Sequence, residues 1–454
     1  MKVHFIAIGG SVMHNLAIAL KQKGYNVTGS DDEIFEPAKS NLIKHNLLPE
    51  HLGWNDSQIT EDLDAIVLGM HAKAGNPELE KAKKLGIKIF SYPEFIFEQS
   101  KNKKRVVIGG SHGKTTITSM VLHILKKQNL DFDYMVGASL EGFDVSVRLS
   151  ESAPVIILEG DEYPDSTLNQ MPKFLIYHPD VALLSGIAWD HINVFPTFEN
   201  YILQFKRFVE SISKDGMFIF NSEDEIVSKI AEDVRAGLQI IPYSTPEFSI
   251  MNHTTFLIRN GNKMPLKIFG RHNLQNLMGA TAVCNSLGVN EAECFEALKD
   301  FTGASKRLEL LAAGETTAVF KDFAHSPSKL KATIAAVKEQ FPERRLVACL
   351  ELHTYSSVNE NFLKEYRDSM SNAQIKIIFY DAHTFQLKNA ALLNPVLILN
   401  SFNDEDIIVF TEIEKLSRFL QSQEWKNATL LMMSSGNFSG LDLQELSTFV
   451  TTHS

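Results

Sequence analysis

Cysteine and tryptophan are scarce in this chain, three of each in 454 residues, and Cys284, Cys294 and Cys349 form no C-x-x-C pair. An odd, scattered set of thiols excludes a disulfide framework and a paired-cysteine metal site, and predicts reduced core residues. Positive charge is also in deficit: 44 Lys and Arg face 55 Asp and Glu, for a formal net charge of -11. That balance argues against nucleic acid as a partner. No apolar run reaches the length of a membrane span, so no membrane insertion is expected. The opening Met1-Lys2-Val3-His4-Phe5-Ile6-Ala7-Ile8 has too short an apolar run for a signal peptide and no small-residue cleavage site, which sets the expectation of a cytoplasmic protein.

What is present reads as an ordinary globular enzyme, with 44% hydrophobic and 22% charged residues. Its length exceeds one hydrophobic core and predicts about three domains. Strand and helix signals alternate throughout, which predicts an α/β fold with mainly parallel sheets. The first strand is expected at Val3 to Ile8, followed by a turn at Gly9-Gly10 and a helix burying Val12, Leu16, Ala19 and Leu20. Asn76, Pro77 and Gly86 read as the cap, first residue and stop of a later helix. The basic run Lys101 to Arg105 reads as a linker. Further strands are expected at Val155 to Leu158, Val181 to Leu184, Met217 to Phe220, Ala318 to Lys321, Leu346 to Leu350 and Leu430 to Met433.

The most informative stretch is Gly110-Ser111-His112-Gly113-Lys114-Thr115-Thr116, which follows the apolar run Val106-Val107-Ile108 after Gly109. A strand delivering a glycine turn into Lys-Thr-Thr and a helix gathers backbone N–H groups and an ammonium around one anionic pocket, which suits the phosphates of ATP. Lys114 is expected at the outer phosphates and Thr115 on the Mg2+ that bridges them. The alternative is a plain strand-turn-helix junction. Glu159-Gly160-Asp161-Glu162 follows a buried strand, where a second metal contact belongs; Glu159 is the candidate, and a solvated acidic loop is the alternative. Asp190-His191 follows another strand and turn, and a neutral imidazole there can ligate a divalent ion.

Asn273 and Asn276 share a helix face, and their amides match an adenine edge or serve as caps. Arg307 offers a donor fork for phosphate, while Asp322 and His325 stand at a strand end where open sheets bind ligands. Gly9-Gly10-Ser11 at a helix start can take a diphosphate, although Ala7 and Val12 stand where a dinucleotide fingerprint has glycines.

Taken in order, these motifs resemble the ATP-dependent Mur ligases of bacterial cell-wall synthesis, across essentially the whole chain. The resemblance implies a Rossmann-like domain at 1–100, a central P-loop ATPase domain with a mainly parallel sheet at 101–305, and a Rossmann-like acceptor domain at 306–454. It places the UDP part of UDP-N-acetylmuramate on Gly9, Gly10, Ser11, Met13, Ser30, Asp31 and His71. ATP falls to Gly110 through Thr116 with Asn273, Asn276, Arg307, Asp322 and His325, metal to Thr115, Glu159 and His191, and catalysis to Lys114, Glu159, His191, Arg307 and Asp322.

Two branches of the family compete. Glu351-Leu352-His353-Thr354-Tyr355 is similar to the Pro-His-x-Tyr segment of the L-alanine-adding branch. Glu162-Tyr163, Trp189 through Phe195 and Met433 through Gly440 look nearer to the branch that joins the tripeptide L-Ala-gamma-D-Glu-meso-diaminopimelate. Four positions depart from the family pattern: Phe323, Ser326 and Ser357 replace an expected tyrosine, histidine and arginine. Phe205, followed by Lys206, stands where other branches carry a modified lysine, a residue that neither of these two branches has.

Overall fold

Runs of β-branched and aliphatic residues too continuous for one-sided burial form the sheets, as strands covered on both faces require. The computed structural model describes residues 1–70, 72–138, 140, 142–165, 171–304, 307–381 and 393–453. The chain divides into two compact units, one made of Met1–Ile187, Ile202–Tyr243 and Gly279–Ala297, the other of Ala188–Tyr201, Ser244–Met278 and Leu298–Ser454.

The first unit holds two sheets. A four-stranded parallel sheet runs in the order Asn26–Ser30, Lys2–Ile6, Ala65–Leu68, Ile89–Ser91. The seven-stranded sheet runs Gln239–Tyr243, Met217–Asn221, Val181–Leu184, Lys104–Gly109, Val155–Glu159, Asp133–Met135, Val147–Arg148, and only its last pair is antiparallel. Lys104–Gly109 sits at its centre. Its register sets Ile108 opposite Glu159 and Gly109 opposite Leu184, so the glycine loop, Glu159 and Ser185 emerge side by side.

The second unit pairs Glu309–Ala313 antiparallel with Ala318–Asp322, then continues in parallel through Ala428–Met433, Arg345–Glu351, Ile375–Phe379 and Ile408–Phe410. Met433 is level with both Asp322 and Leu350. A separate antiparallel sheet of Phe248–Met251, Thr254–Arg259 and Asn262–Leu266 completes it.

The α/β expectation matches, and Asn76, Pro77 and left-handed Gly86 bound the helix Pro77–Leu85 as read. Two local readings are corrected. The first strand ends at Ile6, because Ala7 turns left-handed at φ 67 and its N–H and that of Ile8 both donate to Ser30 O. The basic run is no linker: Lys104 already belongs to the central strand, and Lys103 is drawn in by the buried carboxylate of Asp133 at 2.9 Å. The three cysteines are buried and free. Among the described residues no helix is long and apolar enough to cross a membrane.

Candidate functional site

The glycine loop is held from beneath before any ligand arrives. Ser111 N–H donates to Gly186 O at 2.9 Å, and the Ser185 hydroxyl donates to His112 O. Gly110 has φ 130, and a Cβ there would lie 2.1 Å from Ser185 Oγ, so only glycine lets the loop cross the neighbouring strand end. Gly113, at φ 79, precedes the helix Lys114–Lys127, whose first turn carries no acidic side chain. The N–H groups and dipole of that helix start are therefore left to an anion.

Each carboxylate of the 159–162 segment has its own partner. Thr115 Oγ1 donates to Glu159 Oε1 at 2.7 Å, and Gly137 N–H donates to Glu159 Oε2 at 2.7 Å. Lys114 Nζ lies 2.5 Å from Glu162 Oε2 and donates to Gly110 O at 2.7 Å. Lys173 Nζ pairs with Asp161 Oδ2 at 2.7 Å, above the rings of Tyr92 and Tyr163. Burial works against the Lys114 charge, but Glu162, Asp161 and Glu159 outweigh it and raise its pKa. Burial likewise opposes ionisation of Asp161, yet Lys173 and Lys114 bring its pKa well below the usual carboxylate range. Sequence reasoning missed Glu162 and Lys173 as partners, since nothing local marks contacts 48 and 12 residues apart.

The amino-terminal turn is organised around Asp31, whose Oδ2 accepts the Gly9 N–H at 2.7 Å. Burial raises the Asp31 pKa. The Ser30 hydroxyl donates to buried Glu78. Ser30, Asp31 and Met13 are all buried, while Ser11 opens the helix Ser11–Gln22 at the surface. Ser30 and Asp31 thus brace the turn from below, and Gly9, Gly10 and Ser11 present it. His71 lies outside the described residues.

In the second unit Asp190 is buried and gathers several groups. Its Oδ1 accepts the His191 N–H at 2.7 Å and the Ser356 hydroxyl at 3.3 Å, and its Oδ2 lies 3.8 Å from Lys329 Nζ and 3.9 Å from His325 Nε2. Burial opposes the Asp190 charge, but Lys329, His191 and His325 hold its pKa down to about 2. Burial and Lys329 lower His325 to about 3, so it is neutral at pH 7. Its Nδ1 donates to Phe323 O at 2.7 Å. His191 adopts φ 56. Lys329 and Ser356 escaped the sequence reading, where they look like an ordinary helix residue and loop residue.

Asp322 accepts the Leu308 N–H at 2.5 Å and the Ala324 N–H at 2.6 Å; burial raises its pKa although Arg307 works the other way. The Arg307 guanidinium stands 4.6 Å over the Phe323 ring. Asn273 and Asn276 are buried on the helix Arg271–Ser286, with Asn273 Nδ2 donating to Phe269 O at 2.9 Å. Phe205 is core, edge-on to Phe174 in the first unit, and Lys206 faces Asp233 at 3.9 Å.

Among the described residues no three acidic, histidine or cysteine side chains gather into a metal cage. The adjoining Thr115 hydroxyl and Glu159 carboxylate are instead the hard oxygen pair that suits Mg2+ when phosphate oxygens and water complete its shell.

Known proteins are similar to this chain in sequence and in fold. The profile of the Mur ligase family catalytic domain matches residues 2–104, and that of the Mur ligase middle domain matches residues 108–284. A UDP-N-acetylmuramate–L-alanine ligase of Caldicellulosiruptor bescii is 32% identical over 403 residues, covering 86% of this chain and 85% of the relative. A murein peptide ligase structure from Psychrobacter arcticus matches 99% of both chains with TM-score 0.66 at 22% identity, a likeness of fold. The UDP-N-acetylmuramate:L-alanyl-gamma-D-glutamyl-meso-diaminopimelate ligase of Neisseria meningitides is 25% identical, covering 66% of this chain and 98% of that one, with TM-score 0.60. With a phosphate loop, its facing carboxylates and this span of similarity in one chain, the protein belongs to the Mur ligase family, the ATP-dependent amide ligases of peptidoglycan synthesis.

Proposed function

We propose that this enzyme joins the lactyl carboxylate of UDP-N-acetylmuramate to the amine of the tripeptide L-Ala-gamma-D-Glu-meso-diaminopimelate, in the cytoplasm, with ATP as energy source. The observation that carries the ATP chemistry is Thr115 Oγ1 set 2.7 Å from Glu159 Oε1 beside Lys114. A carboxylate is a poor acyl donor at neutral pH, so it first takes the terminal phosphoryl group of ATP, and the amine then displaces phosphate from the acyl phosphate. Such transfer depends on positioning and charge neutralisation.

Each group has a part in this reading. Lys114 exchanges Glu162 and Gly110 O for the outer phosphates, and the N–H groups from Gly110 to Thr116 hold the phosphate chain. Thr115, Glu159 and His191 hold Mg2+, which when bound offsets phosphate charge. Arg307 adds positive charge, Asn273 and Asn276 meet adenine, and Asp322 and His325 orient the nucleotide. Gly9, Gly10, Ser11 and Met13 take the diphosphate of the sugar, with Ser30, Asp31 and His71 in support. The working domains are 1–100 for the UDP-sugar, 101–305 for ATP and 306–454 for the acceptor.

The tripeptide is favoured over L-alanine by the position of the expected arginine. Ser357 is there, buried and bonded to Thr354, and offers no guanidinium to a free amino-acid carboxylate. The Neisseria relative, named for this tripeptide, adds support. L-alanine remains the second reading because the curated relatives are named for it. Competition of the two acceptors for one limiting pool of UDP-N-acetylmuramate tests the choice; a predominance of the alanyl product overturns the tripeptide assignment.

A further inference from the structure

The segment around His191 keeps close company within its own unit. Trp189 stacks on Phe198, meets Phe362 edge-on at 6.1 Å, and donates from Nε1 to Phe195 O at 3.1 Å. Trp189 and Ile192 both pack on the apolar core made by the helix Pro327–Gln340 and its sheet. His191 itself is strained, since φ 56 brings the Cβ of a non-glycine residue against its own backbone. Asp190 Oδ1 ties down the N–H of that residue at 2.7 Å.

Lys329 is harder to explain by local stability. It lies in the first turn of the helix Pro327–Gln340, which has no acidic residue there and no side-chain cap. A cation at that end opposes the helix dipole. Its ammonium nevertheless points toward Asp190, 3.8 Å from Oδ2, with the Lys329 side chain 21% exposed and that of Asp190 7%. Ser356, from the loop after the strand Arg345–Glu351, reaches the same carboxylate at 3.3 Å. The helix start, the loop after a central strand and the His191 segment thus converge on one buried carboxylate.

The geometry points to Lys329 as a positioning residue that, through Asp190 and with Ser356, clasps the His191 segment in one conformation and so presents its imidazole to metal in a single orientation. The consequence for Mg2+ rests on the ligand role proposed above for His191; the clasp itself does not. Lys329 acts through Asp190 and is not assigned a contact with substrate.

Hydrogen exchange in the metal-free protein tests it, because His191 O accepts the N–H groups of Val194 and Phe195 at 2.9 Å each and neither bond involves Lys329. Lys329→Met is expected to speed exchange at these two amides about tenfold, with amides of the strand Ala428–Met433 unchanged. Lys329→Arg restores protection, and Ser356→Ala gives a smaller loss at the same two positions. In turnover assays Lys329→Met is expected to raise the Mg2+ concentration for half-maximal rate about tenfold and to leave the KM for ATP within about twofold. Unchanged exchange in both Lys329→Met and Ser356→Ala overturns the clasp, as does a Lys329→Arg protein no better protected than Lys329→Met. His191→Ala is the separate control: if its Mg2+ requirement matches wild type, the metal reading falls while the exchange data still decide the clasp.

Discussion

Lys114→Ala separates the two uses of that lysine, as a counter-ion at rest and as a phosphate ligand in turnover. In the ligand-free protein Lys114 Nζ sits 2.5 Å from Glu162 Oε2, with side chains 15% and 1% exposed. Breaking a buried pair from one side costs about 3–5 kcal/mol. Lys173, paired 2.7 Å from neighbouring Asp161, keeps some positive field nearby and places the loss at the lower end, about 3 kcal/mol. At about 2 °C per kcal/mol, the figure for a unit of roughly 250 residues, the melting transition of the first unit should fall by roughly 6 °C. Glu162→Gln in the same chain removes the stranded charge, so Lys114→Ala/Glu162→Gln should recover most of that loss. Ligation should not recover: both proteins lack the cation at the outer phosphates and should fall at least about 10³-fold in kcat. Calorimetry of wild type and the two variants, with product formation followed by mass, checks both halves. A Lys114→Ala protein melting within a degree of wild type, or turning over within tenfold of it, refutes the reasoning.

Three further outcomes follow from the same geometry. Glu159→Gln keeps the bulk but loses the charge that faces Thr115 at 2.7 Å, and should lower kcat about 10²–10³-fold while UDP-sugar affinity, measured by calorimetry, stays within twofold. Gly110→Ala places a Cβ 2.1 Å from Ser185 Oγ at φ 130; it should cost about 3 kcal/mol or more by denaturant titration and abolish nucleotide binding. His325 is held neutral, its pKa depressed by burial and Lys329 to about 3, against about 6.5 in the unfolded chain. Between those values the unfolded state binds the extra proton, so stability should rise with pH from about 3 to about 6.5 and then level. The rise should be on the order of 4 kcal/mol, and His325→Gln should flatten it in denaturant melts across that range.

Local features of the site were legible because they are written in adjacent residues. The strand, glycine turn and helix around Lys114 need only a few neighbours to declare themselves, and Asn76-Pro77 with Gly86 delimits a helix by capping chemistry alone. Contacts made by tertiary folding were not legible. The pairing of Glu162 with Lys114 follows from strand register in the central sheet, which sets Ile108 opposite Glu159. Ala7 hid its left-handed turn because an alanine gives no local hint of positive φ. Lys101 to Arg105 read as a linker by its charge, yet Lys103 is drawn in by buried Asp133. Trp189 and Ile192 read as part of the central domain by sequence order, and they pack on the apolar core of the unit that holds the carboxyl-terminal sheet, a contact that sequence order does not reveal.

The most direct test of ligation is to incubate the protein with ATP, Mg2+ and UDP-N-acetylmuramate, in parallel with the tripeptide and with L-alanine, and to weigh the products. The account predicts a new amide-linked UDP species carrying the tripeptide mass, formed one for one with ADP and phosphate and absent without ATP. Nucleotide hydrolysis with neither acceptor incorporated, or incorporation that proceeds without ATP, would contradict it.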